Sequence, residues 1–170
     1  MWRSRLKLNK LTQYLLCFMT GSLGGWVYET VLELVVTGYW ADRGVLHLPI
    51  CPIYGFGALI ILAALGKKRG LTQAFLYGVV LSTALELAAS YLLEWRFHLQ
   101  LWSYQQWPLN FQGRISLPSS LIFGIFSMIF FGLGYPRIEK LVSRLPVTAQ
   151  ILIDSMLLIA VIVDGAVSFL

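Results

Sequence analysis

Long apolar stretches alternate with short charged ones along this chain. Each apolar stretch is near the ~20 residues that a helix needs to cross ~30 Å of hydrocarbon. Because lipid offers the backbone no hydrogen-bond partners, stretches of this length predict helices. The pattern predicts an all-α polytopic membrane protein, a single transmembrane domain over 1–170, with five transmembrane helices at about residues 12–37, 50–66, 71–95, 118–135 and 147–170.

Composition agrees with a membrane protein. Of the 170 residues, 58% are hydrophobic and 12% are charged, whereas soluble domains carry about 25% charged residues. The sequence therefore predicts one membrane domain and no appended soluble one.

The basic residues are unevenly distributed between the two sides of the membrane. Ten of the 13 lysines and arginines lie in the N-terminal segment and in the turns after spans 2 and 4, against Arg43, Arg96 and Arg114 on the other side. By the positive-inside rule, this count predicts a cytoplasmic N-terminus and an outer C-terminus in a multi-pass protein of the plasma (inner) membrane. The net charge of +5 reports this topology, so we expect the lipid bilayer as a partner and no nucleic acid.

Carboxylates occur inside three of the predicted spans, namely spans 1, 3 and 5. A charged group in hydrocarbon costs about 2.5–3.5 kcal/mol on insertion scales. Glu29 and Glu33 lie one turn apart on span 1. On span 3 a polar residue recurs every four positions and forms a stripe of Ser82, Glu86, Ser90 and Glu94. Each set therefore shares one helix face. We predict an outward-facing polar cluster, which as a substrate-binding site or polar pathway comprises Glu29, Glu33, Arg43, Tyr54, Glu86, Asn110 and Arg114.

Two interpretations of this cluster stay open at this point. In one, Glu29 and Glu86 belong to a polar pathway, with Arg43 and Arg114 as counter-charges or anion contacts. In the other, the same groups form a structural network that fixes the helix arrangement. Similarly, the aromatic residues of 96–117 indicate either a belt at the membrane interface or a lid over the cluster. Glycines in spans 2 and 4 favour close helix packing, and we expect a homo-oligomer.

The sequence contains none of the motifs that indicate catalysis. It lacks a Gly-x-x-x-x-Gly-Lys-Ser/Thr phosphate loop, His-Glu-x-x-His and Gly-x-Ser-x-Gly. His47 and His98 have no nearby cysteine ligands, so they are weak evidence for a zinc site. We therefore expect no enzyme, no catalytic residue, no cofactor and no metal, and ATP hydrolysis would need a separate subunit.

A series of motifs resembles a known family. These are Gly25-Trp26-Val27-Tyr28-Glu29-Thr30, Arg43-Gly44, Pro52-Ile53-Tyr54-Gly55-Phe56-Gly57, Glu86, Trp102-Ser103-Tyr104, Pro108-Leu109-Asn110 and Gly113-Arg114-Ile115. Over about residues 20–135 the chain is similar to the CmpB-like family of type IV ABC-transporter permeases, to which transmembrane protein 229 of animals is also similar. Ser103 and Ser116 stand where that family usually has a carboxylate and a cysteine. The absence of these two ligands argues against a metal- or cation-binding role for this loop.

The resemblance implies a membrane subunit of a transporter that depends on a separate ATPase subunit. The alternative, from a different class, is a non-transporting membrane scaffold or regulator that binds a protein partner or a lipid headgroup.

The basic count yields a topological prediction. Reporter fusions at residues 67–69 and 137–144 should report the cytoplasm, and fusions at the C-terminus should report the outside, because lysine and arginine stay on the cytoplasmic side. A cytoplasmic C-terminus would contradict the five-span arrangement.

Overall fold

The structure is a computed structural model that describes residues 2–40, 44–66 and 70–168, with the side chains of 2–5 and 7 not described. Arg43 of the predicted cluster and the basic turn at 67–69 lie outside the described residues. The helices and strands, in chain order, are α1 Trp2–Thr37, α2 Pro52–Leu65, α3 Leu71–Phe97, β1 Asn110–Phe111, β2 Ile115–Ser116, α4 Leu117–Ile129, α5 Tyr135–Arg144 and α6 Val147–Ser168.

Among the described residues, four helices are long and apolar enough to cross a membrane, namely Leu8–Thr37, Leu71–Phe97, Leu117–Arg144 and Val147–Ser168. The chain is therefore a helical, polytopic membrane protein. The remaining predicted span, span 2 at about 50–66, contains α2, whose 14 residues cover about 21 Å at 1.5 Å per residue. That length is short of the ~30 Å hydrocarbon core. The number of five spans and the orientation of the termini stay predictions.

The segment after span 4 differs from the sequence-based expectation of a turn. A π-helical stretch at Phe130–Gly134 joins α4 directly to α5, and the helix continues to Arg144. In a regular α-helix, Pro136 would clash with the carbonyl of Gly132 four residues earlier and leave it without a donor. The wider π turn ends at Gly134, two residues before this proline. The helix itself ends at Arg144, before Leu145 and Pro146.

The chain divides into two compact units, the first of which holds residues 1–59 and 135–170. Within it α1 packs against α5 and α6. Gly21 and Gly55 bring α1 and α2 close together, since a Cβ at Gly21 would lie 3.0 Å from the Ala58 Cβ. The side chains buried in this unit include Thr12, Cys17, Ser22, Thr30, Tyr135, Val142 and Gln150.

The non-helical stretch before α2 belongs to the same unit. Its backbone donors are taken up by neighbouring helices: His47 and Leu48 donate to the Asp164 carboxylate at 3.1 and 3.0 Å, and Cys51 donates to the Ser22 carbonyl at 3.0 Å. Pro52 is the first residue of α2, where its missing N–H loses no hydrogen bond. The chain therefore enters α2 through an irregular stretch.

The second unit, residues 60–134, is built on the packing of α3 along α4. Gly78 allows the two helices to approach, because a Cβ at this position would lie 2.9 Å from the Gly124 Cα and 3.0 Å from the Phe123 carbonyl oxygen. Gly124 in turn lies against Phe75 and Val79. The glycine surfaces that the sequence offers to a second copy are thus filled within the chain at Gly55 and Gly124, and the homo-oligomer stays a prediction.

The α3–α4 contact leads to a prediction about stability. Gly78→Ala should lower the free energy of unfolding by about 1–3 kcal/mol, the usual penalty for overpacking a close contact. Gly24→Ala is the matched control, because a Cβ there meets nothing within 4 Å and replacing a helical glycine by alanine then stabilises by about 0.4–1 kcal/mol. Reversible unfolding in mixed micelles measures both changes. Equal effects would mean that the close approach is not tight.

Candidate functional site

Glu86 is the most deeply buried glutamate among the described residues. It lies on α3 with 7% of its surface exposed. The hydroxyl of Tyr104, from the segment that follows α3, donates to its Oε1 at 2.6 Å. The predicted stripe on α3 therefore faces protein at this level, and the aromatic segment supplies a polar group to its central acid.

Arg114, on the segment that follows α3, contacts the stripe one to two turns further along, at Ser90 and Glu94. Its guanidinium forms an ion pair with Glu94 and donates to the Ser90 hydroxyl at 3.4 Å. The guanidinium carbon also lies 4.1 Å from the centre of the Tyr91 ring, which is close enough for a cation–π interaction. Four members of one surface, Ser90, Tyr91, Glu94 and Arg114, thus form a network that we call the Arg114 network.

A short hairpin holds Arg114 in place. Strands β1 and β2 pair antiparallel, with Phe111 opposite Ile115, and Gly113 in the turn has a φ of 68° that favours glycine. Asn110 organises the hairpin: its amide nitrogen donates to the Trp107 carbonyl at 2.9 Å and its oxygen accepts from the Gly113 N–H at 3.0 Å. Asn110 thus directs both ends of its amide to loop backbone.

In the first unit, Glu29 has an arrangement similar to that of Glu86. Tyr54, in the first turn of α2, donates its hydroxyl to Glu29 Oε1 at 2.9 Å. Gly25, one turn before Glu29, provides the space for this ring, because a Cβ there would lie 2.7 Å from the Tyr54 Cβ. The ring also makes an edge contact with Tyr28 at 6.4 Å between centroids. A Gly25–Tyr54–Glu29 constellation therefore joins α1 to α2.

His47, Asp164 and Ser168 also meet in the first unit, but their geometry does not suit nucleophilic catalysis. Both Asp164 Oδ1 and Ser168 Oγ contact the same ring nitrogen, Nδ1 of His47, at 3.2 and 2.9 Å. In a catalytic triad the acid and the nucleophile use opposite ring nitrogens. Since Asp164 also accepts two backbone N–H groups, this group anchors the 44–51 stretch to α6.

The structure brings some of the predicted site residues together. Glu29 and Tyr54 form one contact, in the first unit, and Glu33 follows Glu29 by one turn on α1. Glu86, Asn110 and Arg114 belong to the second unit, where the segment 98–116 contacts the α3 stripe at both Glu86 and Glu94. That the polar faces of α1 and α3 form one cluster stays a prediction. The role of every residue in the cluster stays a prediction as well.

Sequence reasoning did not assign two aromatic residues that complete these contacts. Tyr104 supplies the hydroxyl on Glu86, and Tyr91 supplies the ring under Arg114. Tyr91 has a local signal, because it is the sequence neighbour of Ser90, a member of the α3 stripe. Tyr104 could not be assigned, since nothing local fixes how a 98–116 loop folds back on its helix.

The described residues contain no group of three or more histidine, cysteine, aspartate or glutamate side chains that could hold a metal ion. Cys17 and Cys51 are both buried.

Comparison with known proteins identifies a family. Residues 16–169 match a family model described as "Putative ABC-transporter type IV". This match confirms the resemblance seen in the motifs and extends it over the last helix. No curated protein and no solved structure is significantly similar to the chain.

The Tyr104–Glu86 contact leads to a second prediction about stability. Tyr104→Phe should lower the free energy of unfolding by about 1–3 kcal/mol, because it removes a hydrogen bond to a buried acid. Tyr91→Phe is the matched control: it deletes a hydroxyl that binds exposed Gln112 at 2.7 Å and keeps the ring under Arg114. Its effect should be under about 0.5 kcal/mol, typical of surface substitutions. Equal losses in the two variants would contradict the burial argument.

Proposed function

Because the chain belongs to this type IV ABC-transporter family, we propose that it is the membrane-embedded subunit of a transporter in the plasma (inner) membrane, and that its glutamates line a polar pathway open to the outside. The chain lacks the phosphate loop needed for ATP hydrolysis. In this proposal a separate ATPase subunit supplies the energy, and the chain itself is not an enzyme.

The observation that carries the proposal is a repeated pair. In each unit, an acid on a membrane-crossing helix accepts a hydrogen bond from a tyrosine on a different element: Tyr54 to Glu29 and Tyr104 to Glu86. Acids in membrane segments are expensive and mark ion or substrate pathways more often than structural positions. A tyrosine hydroxyl is neutral and can be replaced by a donor group of a passing solute, which an ion pair resists.

The remaining predicted residues have supporting roles in this proposal. Glu33 extends the acidic face of α1 by one turn. Arg43 remains the sequence-based candidate for a counter-charge. Arg114 is held by Ser90, Tyr91 and Glu94, so its role is to position the outer segment over Glu86 with the help of Asn110.

The Arg114 network also favours the second candidate function, a non-transporting scaffold or regulator. An arginine held by an acid, a hydroxyl and an aromatic ring is typical of a structural network. If the Tyr–Glu pairs are structural as well, the protein binds a partner or a lipid headgroup and moves nothing.

The decisive experiment reconstitutes the chain in vesicles with the ATPase encoded nearest to it and measures flux of molecules that copurify with the chain. Glu29→Gln should spare expression, folding and the oligomeric state seen by native mass spectrometry. It should abolish transport, because the amide cannot carry the charge of the pathway. Glu139→Gln, an acid on α5 outside the cluster, is the matched control and should transport normally.

Two results would favour the scaffold. One is that Glu29→Gln breaks folding or assembly. The other is that the intact protein, with the ATPase bound, moves none of its copurified molecules.

A further inference from the structure

A buried polar site lies on the α1–α6 contact, apart from the outer cluster. It consists of Thr12, Gln150 and Asp154, which are 0%, 0% and 4% exposed, and we call it the Asp154 site. Asp154 lies about 10 Å along α6 from Val147, at 1.5 Å per residue. An acid at this depth, closed off from water, requires a compensating group.

The described hydrogen bonds fix the orientation of Gln150. Its amide nitrogen donates to the carbonyls of Val142 and Leu145 at 3.3 and 3.1 Å, near the end of α5. Both amide hydrogens are therefore used, and the amide oxygen points to Thr12 at 3.4 Å. Gln150 thus presents an acceptor, and no donor, to the rest of the site.

Thr12 has one hydroxyl hydrogen and three acceptors within reach. These are the Leu8 carbonyl at 3.2 Å, Gln150 Oε1 at 3.4 Å and Asp154 Oδ2 at 2.9 Å. The second carboxyl oxygen, Asp154 Oδ1, is buried with no hydrogen-bond partner in the described part of the chain. The site therefore has more acceptors than hydrogens, and a carboxylate would add a negative charge to that deficit.

We propose that the Asp154 site binds one proton, carried on Asp154 Oδ2. The protonated carboxyl donates to the Thr12 oxygen, and Thr12 donates onward to Gln150 Oε1 or to the Leu8 carbonyl. The Asp154–Thr12 contact and the contact to which Thr12 donates then each have one donor and one acceptor, and no net charge is buried. With a carboxylate, Thr12 would have to donate to Asp154, and Gln150 Oε1 would lose its donor.

Among the described side chains, no charged or titratable group of the packed helices supplies a counter-charge to Asp154. On α1 and α5 the described basic groups are exposed, and Asp154 forms no ion pair with any described lysine or arginine. The groups concerned are Lys10, Tyr14 and Cys17 on α1, and Tyr135, Arg137, Glu139, Lys140 and Arg144 on α5.

Proton binding at this site couples protonation to helix packing. A rearrangement that separates α1 from α6 would admit water, and a hydrated carboxyl releases its proton because the charge is then solvated. The proposal goes beyond the transport function proposed above and involves none of the outer cluster. The flux experiment therefore does not test this proposal.

Infrared spectroscopy of the intact protein in lipid nanodiscs at neutral pH tests the site. The difference spectrum between wild type and Asp154→Asn should show the C=O stretch of one protonated carboxyl per chain. Asp164→Asn is the matched control on the same helix: its carboxylate already accepts two backbone N–H groups and a His47 contact, so no protonated-acid band should disappear. Thr12→Val should shift the Asp154 band, because the acid hydrogen loses its acceptor.

If Asp154→Asn does not fold, the wild-type band and its shift in Thr12→Val decide the question.

Two results would overturn the proposal. The first is the absence of a protonated-carboxyl band that depends on Asp154 or Thr12. The second is stabilisation by sodium over potassium at constant pH without such a band, which would assign the same oxygens to a metal cation.

Discussion

Satisfying backbone and side-chain polar groups inside an apolar environment is the constraint on which this structure depends. The helices meet it internally, but two non-helical segments cannot. In the stretch before α2, backbone N–H groups donate to the Asp164 carboxylate and to the Ser22 carbonyl. The segment after α3 folds into a hairpin braced by Asn110 and by Trp102, whose indole donates to the Arg114 carbonyl at 3.0 Å. Non-helical chain is present where side chains complete its hydrogen bonds.

The acids differ in what compensates them, and this difference separates their roles. Asp164 accepts backbone N–H groups and anchors a loop, whereas Glu94 neutralises an arginine. Glu29 and Glu86 accept from tyrosines contributed by other elements, an interaction that a solute can replace. Asp154 has a single threonine hydroxyl within an excess of acceptors. The carboxyl groups of this chain thus differ chiefly in the donors around them.

The sequence predicts the helical class, the helix positions and the polar stripe of α3 well, because span length and four-residue spacing are local properties. It does not predict that Tyr104 reaches Glu86, since this contact depends on how the 98–116 loop folds. Nor does it predict the partners of Asp154 and Asp164, which come from residues over 100 positions away. The sequence does not predict that the helix continues past Gly134, because a glycine followed closely by a proline normally ends a helix.

The π turn at Phe130–Gly134 has a consequence for how this helix can present its surfaces. A π turn accommodates one residue more than the α turn it replaces, and successive residues in an α-helix are about 100° apart. The residues of α5 are therefore rotated by roughly a quarter turn relative to an uninterrupted continuation of α4. That offset brings the basic residues of α5 to one exposed side and leaves Tyr135 and Val142 buried on the other. A one-residue insertion thus acts as a phase shift between two parts of one continuous helix.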